Sequence, residues 1–373
     1  MAELGETPSG NRIRLAFFGR RNAGKSTLIN AIAGQEVAIV SDTPGTTTDP
    51  VSKAMEILPL GPCLLTDTAG LDDFGPLGEL RVKKSLEVLE RTDVAVIVVA
   101  GELGDLEEEL ISECERRKIA HLVFRRGDSP EALKEQIARL APPVAAPPLV
   151  GDLVDKGDVV VCVCPIDSAA PKGRLILPQQ QVVRELLDAG AIPVVCRETE
   201  LESALGRLAS PPKFVVTDSQ AFGHVSKVLP REIPLTSFSI VFARAKGDLS
   251  LYAEGAEALG RLKDGDRVLI AEGCTHHRQC TDIGTVKLPA WIQSFTGRNL
   301  EFSWTAGNDF PADLSSFSLV VHCGGCMLTR RAVMARLERC RAAGVPVTNY
   351  GICIAACHGI RFSPESRMVI RDA

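Results

Sequence analysis

The chain has 373 residues, 45% hydrophobic and 24% charged, with a net charge of −5 at pH 7. That length favours two or three domains and that composition an ordinary globular protein able to bury cores without staples. The charge argues against a general nucleic-acid binder.

The first six residues are polar and acidic, unlike the basic and then apolar start of a secretory signal. The longest apolar runs, around 94–100 and 159–164, are far shorter than a membrane helix needs. A cytoplasmic, reducing compartment with no membrane attachment is therefore expected. There the 12 cysteines, too sparse for a small disulfide scaffold, serve as thiols or metal ligands.

Residues 1–140 alternate strands (13–18, 63–66, 95–100, 122–124) with helices (25–33, 79–90, 106–117). This alternation predicts a mostly parallel sheet with flanking helices, an α/β domain. Between the first strand and the first helix lies Gly19-Arg20-Arg21-Asn22-Ala23-Gly24-Lys25-Ser26, which fits G-x-x-x-x-G-K-[ST]. The glycines let backbone N–H groups close on phosphates, and the helix N-terminus adds partial positive charge. Lys25 is expected to reach the β- and γ-phosphates and Ser26 to bind Mg²⁺, with Gly19, Asn22, Ala23, Gly24 and Thr27 completing the contacts. Ser41-Asp42-Thr43-Pro44-Gly45-Thr46-Thr47-Thr48-Asp49 supplies a switch threonine, Thr47, that ligates Mg²⁺ when a γ-phosphate is bound. Asp67-Thr68-Ala69-Gly70 follows a strand end, so Asp67 suits Mg²⁺ binding through its shell and Gly70 can offer its N–H to a γ-phosphate.

These three motifs resemble the Era/TrmE-like GTPases. The resemblance implies GTP hydrolysis with Lys25, Thr47, Asp67 and Gly70 as the working residues, and with Asn22 helping to bind K⁺. Leu71 stands where Ras-like proteins carry a water-orienting Gln, in keeping with K⁺-assisted hydrolysis. The base-reading segment departs from Asn-Lys-x-Asp and reads Arg125-Arg126-Gly127-Asp128. Asp128 remains to accept from guanine, and the domain is shortened at its C-terminal end.

Residues 141–150 begin with four prolines in eight positions and read as a linker. A second α/β segment, 151–250, follows with strands at 158–165, 192–196 and 214–217 and helices at 179–189 and 200–208. A third, 251–373, carries helices at 252–262, 290–295 and 329–343 and strands at 268–271, 318–322 and 345–348.

The cysteines that carry chemistry lie in this last segment. Cys274-Thr275-His276-His277 follows one strand, and His322-Cys323-Gly324-Gly325-Cys326 closes another. Both sets fall at carboxyl ends of strands, where open sheets form ligand crevices. Three thiolates suffice for an iron–sulfur cluster with one open iron, and spacing alone equally allows a Cys₃His zinc site with His276 or His322 as fourth ligand. Cys63, Cys114, Cys162, Cys164, Cys196 and Cys340 fall in strand or helix patterns and read as core.

The whole chain, from about residue 10 to 362, resembles the FeFe-hydrogenase maturation GTPases. The carrying residues are Cys274-x-His276, 45 intervening residues, and His322-Cys323-x-x-Cys326. Further support comes from the segments 165–178, 217–223, 234–240 and 348–351. The resemblance implies a GTPase domain, then a dimerisation domain and an iron–sulfur cluster domain. It implies a [4Fe–4S] cluster on Cys274, Cys323 and Cys326, with His276 and His322 as candidates for the fourth position. The implied role is that of a homodimeric scaffold or carrier. It receives a transient diiron precursor from radical-SAM maturases and passes it to the apo-FeFe-hydrogenase. The competing readings are a zinc-containing GTPase switch and a relative of the tRNA-modification GTPases.

Overall fold

The computed structural model describes residues 7–34, 51–72, 82, 84–141, 147–166, 175–273, 283–363 and 368–370. It divides into two units, Met1–Val144 and Ala145–Ala373.

In the first unit five strands, β1 (Ile13–Phe18), β2 (Val51–Ile57), β3 (Gly61–Asp67), β4 (Val94–Val99) and β5 (Ala120–Arg125), lie in the order β2-β3-β1-β4-β5. β1 runs parallel to β3 and β4, and β4 to β5, while β2 is antiparallel to β3. Every residue of β1 and of β4 is buried, as expected of strands covered on both faces. The pleat splits β1 between two cores. Ile13, Leu15 and Phe17 pack with Leu28, Ile29 and Ile32 of the helix Lys25–Ala33 and with Ile137 of Pro130–Leu140. Ala16 and Phe18 face the other way, toward Leu110 and Cys114 of the helix Asp105–Arg116. The registers Phe17↔Asp67, Phe18↔Ile97 and Val99↔Arg125 align the carboxyl ends of four strands, so the loops that follow share one edge. β2 was not anticipated from the sequence. It is an edge strand with Ser52, Lys53 and Glu56 exposed, which weakens its apolar signal.

The second unit holds two sheets. One has the order β14-β15-β9-β8-β6-β7, from β6 (Val159–Val163), β7 (Ile192–Cys196), β8 (Phe214–Thr217), β9 (Leu235–Ser237), β14 (Arg361–Ser363) and β15 (Met368–Ile370). The other is parallel, in the order β11-β10-β12-β13, from β10 (Arg267–Ala271), β11 (Glu301–Thr305), β12 (Leu319–His322) and β13 (Val347–Asn349). The change of sheet falls near residue 250, where the sequence places a boundary, yet the two segments do not separate cleanly. Val161, Val163 and Val215 share one apolar core with Val268, Ile270 and Val320. The chain's last two strands also return: β15 pairs with β9, so the end of the expected third segment completes the sheet of the second.

Two helices that no periodicity predicted fill the middle of this unit. Phe238–Lys246 and Tyr350–Cys357 are buried along nearly their whole length, so neither presents an alternating polar face. Their starts are set by side-chain caps, Ser237 accepting from the Ile240 N–H at 3.2 Å and Asn349 from the Gly351 N–H at 2.8 Å.

Candidate functional site

The phosphate loop begins where β1 ends. Gly19 has φ +149°, and a Cβ there would lie 2.3 Å from the Val98 carbonyl oxygen, so only glycine fits between the strands. Asn22 (φ 59°) and Gly24 (φ 99°) bend the loop into the helix at Lys25. Ala23 N–H donates to Arg20 O at 3.2 Å, closing the turn, and Thr27 is exposed on the first helical turn. The Lys25 ammonium is buried and donates to the carbonyls of Gly19 (3.0 Å) and Arg20 (2.9 Å), which holds the cation over the loop. Arg20 forms a two-pronged pair with Glu107 at 2.9 and 3.2 Å, tying the loop to the helix Asp105–Arg116.

Ser26 Oγ donates to Asp67 Oδ2 at 2.7 Å. The other oxygen, Asp67 Oδ1, is buried and lacks a hydrogen-bond partner among the described residues. Burial raises the Asp67 pKa above the ordinary aspartate value, opposed by the Ser26 hydroxyl and the Lys25 charge. A buried carboxylate oxygen without a donor, beside a hydroxyl, is a set of hard oxygen ligands suited to Mg²⁺. Gly70 is buried against the loop, and a Cβ on it would lie 2.9 Å from Arg21 N. Asp128 lies past the end of β5, in a turn where its Oδ2 accepts from Arg125 N–H at 2.7 Å. Thr47 lies outside the described residues.

The cysteine pair stands at the carboxyl end of β12. Gly325, at φ +69°, turns the chain, so Cys323 and Cys326 border one cavity. Cys323 Sγ accepts from Gly273 N–H at 3.0 Å and from Gly325 N–H at 3.3 Å. Burial pushes the Cys323 thiol up while those amides pull it down, and burial takes Cys326 to about 11. Burial thus favours the neutral thiol at both positions. The Gly273 contact brings the chain position before Cys274 against Cys323. Cys274 and His276 themselves lie outside the described residues. Among the described residues no group of three or more His, Cys, Asp or Glu side chains is arranged to hold a metal.

His322, the other candidate fourth ligand, is fully buried. Its Nδ1–H donates to Cys323 O at 2.7 Å, and its Nε2 accepts from Arg336 Nη1 at 3.2 Å. Burial and the Arg336 charge lower its pKa to about 3, so the ring is neutral. Both ring nitrogens thus have partners within the chain, and the ring is placed against the Cys323 turn.

The cavity is lined mainly by apolar surface, from residues that include Ile176, Phe238, Phe242 and Ile354, and Asp218, Ser219 and Ser239 border it too. The segments 217–223, 234–240 and 348–351, singled out in the sequence, meet here. Ser219 Oγ donates to Ser237 Oγ at 2.9 Å, Ser239 Oγ donates to Asn349 Oδ1 at 3.1 Å, and Asn349 Nδ2 reaches His322 O at 3.4 Å. Lys246, buried, donates to Cys326 O at 3.2 Å and Leu328 O at 2.5 Å, pinning the far side of the cysteine turn. Lys246, Arg336 and Asn349 form a support around His322 and the cysteine turn that sequence reasoning missed, since each acts through a partner far along the chain. Cys63, Cys114, Cys162, Cys164 and Cys340 are buried in cores, and Cys196 packs partly against one.

Residues 14–126 match the family model described as a 50S ribosome-binding GTPase. Residues 149–247 match the hydrogen maturase F dimerization domain, and residues 250–362 the hydrogen maturase F tetramerization domain. GTPase Der of Borreliella burgdorferi is 35% identical over 138 residues, 34% of this chain and 28% of that protein. The tRNA modification GTPase MnmE of a Synechococcus species is 37% identical over 140 residues, 36% of this chain and 30% of that protein. The chain thus spans between a quarter and a third of the length of these curated relatives. Among solved structures, Era of Aquifex aeolicus bound to GDP and aluminium fluoride aligns with a TM-score of 0.27 and 16% identity, over 89% of this chain and 98% of that one.

Proposed function

Because the chain belongs to the hydrogen maturase F family, its N-terminal unit being a GTPase domain and the rest carrying that family's self-association domains, we propose that it is a GTP-hydrolysing scaffold for building the diiron subcluster of FeFe-hydrogenase. It holds a [4Fe–4S] cluster on Cys274, Cys323 and Cys326, accepts a diiron precursor from radical-SAM maturases and passes it to the apo-hydrogenase. GTP with Mg²⁺, and K⁺ at Asn22, regulate partner association. The carrying observation is the 3.0 Å bond from Gly273 N–H to Cys323 Sγ, which draws the chain leading to Cys274 against the cysteine turn. The donor set fits the group: soft sulfur ligands, backbone N–H donors on Cys323 Sγ, and apolar walls that limit water. When bound, such a cluster supplies an iron whose fourth position accepts an exchangeable ligand.

The chain's own residues do the rest. His322 and Arg336 hold the Cys323 carbonyl, Lys246 holds that of Cys326, and Gly325 gives the turn its shape. At the other site Lys25 faces the phosphates, while Ser26 and Asp67 hold Mg²⁺. Self-association has an available surface in the edge strand β7, where Ile192 is 52% and Val195 46% exposed. Among the described residues no helix is long and apolar enough to cross a membrane.

Anaerobic reconstitution of wild type and Cys323→Ser tests the reading. Wild type should retain iron and sulfide, and the variant should lose most of both. Zinc in place of iron in the anaerobically purified wild type would favour the zinc switch, and equal iron and sulfide in the variant would remove Cys323 from the ligand set.

A further inference from the structure

At the phosphate loop the Arg21 backbone N–H donates to Asp72 Oδ1 at 2.6 Å. The contact joins residues 51 positions apart and is exposed, so an incoming ligand can reach it. Leu71 N–H donates to Gly19 O at 3.2 Å, and Thr68 Oγ donates to Phe17 O at 2.8 Å, so residues 68–72 run along the end of β1 and the start of the loop. Gly70 closes the arrangement: a Cβ on it would lie 2.9 Å from Arg21 N and 3.0 Å from Asp72 Oδ1. The Arg21 amide, the Gly70 backbone and the Asp72 carboxylate therefore meet at one point. On the phosphate-loop reading, this is the side from which Gly70 would offer its N–H to a γ-phosphate.

Phosphate-loop amides bind anionic oxygens because their N–H groups converge with partial positive charge. A carboxylate satisfies such a donor as a phosphoryl oxygen does, with a short charge-assisted bond. We propose that Asp72 is an internal stand-in for the γ-phosphoryl oxygens and sets the discrimination between nucleoside triphosphate and diphosphate. A diphosphate leaves the Asp72–Arg21 bond intact. A triphosphate must displace the carboxylate, since both groups are negative and compete for one amide. The released Asp72 then carries residues 70–72 into a second arrangement, which couples the γ-phosphate to the segment that follows. The inference rests on reading residues 19–26 as the nucleotide phosphate loop.

Titration of the full chain with GDP and with a non-hydrolysable GTP analogue, each with Mg²⁺, tests it on wild type, Asp72→Ala, Asp72→Asn and Lys25→Ala. Asp72→Ala and Asp72→Asn should each raise the affinity for the GTP analogue relative to GDP about tenfold, as expected for losing a competing bond to a charged group, with GDP affinity unchanged. An unchanged ratio in both, or equal weakening of both ligands, overturns the proposal and leaves Asp72 a structural brace. Lys25→Ala separates the two levels: it should lose both ligands. Wild-type binding in that variant overturns the phosphate-loop reading, and the proposal with it.

Discussion

Gly19 shows how tightly single residues are specified around the nucleotide site. Its backbone passes so close to β4 that any side chain meets the Val98 carbonyl, at 2.3 Å for a Cβ. Gly19→Ala should therefore push the loop from its position, lower nucleotide affinity at least about tenfold and cost about 1–3 kcal/mol of stability. Nucleotide titration with thermal unfolding checks this, and an unchanged affinity would contradict it. Such residues were legible in the sequence because the loop is local: eight consecutive residues bend on themselves and need no distant partner. Asp72 and Glu107 were not legible, since nothing in their neighbours foretells that one caps Arg21 and the other pairs with Arg20. His322 is the instructive case. Its place beside Cys323 suggests a ligand, and the fold adds what its two nitrogens contact. Here they hold a carbonyl and an arginine.

At the scale of elements, exposed faces made the amphipathic helices readable, and full burial hid the others. The helix Arg330–Ala342 carries charge along its length and was expected at 329–343. Tyr350–Cys357 has six of its eight residues buried and no periodic signal, so only its Asn349 cap and its packing define it. The helix Leu249–Glu257 depends on close approach to β13. A Cβ at Gly255 would lie 1.9 Å from Val347 O, a contact no rotamer change can relieve. Gly255→Ala should destabilise the second unit by about 1–3 kcal/mol or block its folding. It should also disturb the β13 end that carries Asn349, and with it the support behind Cys323. Thermal unfolding and iron retention after reconstitution measure the two effects, and a wild-type melting temperature would show that the helix can slide outward freely.

At the scale of the molecule, the return of the chain's end is the main departure from a linear reading. The sequence divides at 250 by its change of pattern, and the sheets do change there, but β14 and β15 pair back onto β9. The middle sheet therefore depends on residues more than 100 positions beyond it. Removing residues 361–373 should lower the calorimetric transition of the second unit by several degrees and leave that of the first unit in place. A shift of both transitions, or of neither, would show that the returning strands are not what ties the sheet together.

The sequence by itself determined the phosphate loop, the mostly parallel sheet around it, the assignment of most cysteines to cores, and the place of the Cys323–Cys326 motif at a strand end. Each is written locally, in periodicity, glycine placement or strict spacing. Only the tertiary structure decided that Lys246 pins the cysteine turn, that Asp72 sits on a phosphate-loop amide, and that the last strands complete an earlier sheet. These are contacts between residues separated by tens of positions. Hydrogen-bond geometry and burial at such range follow from how the strands register and the helices pack, which no local pattern encodes.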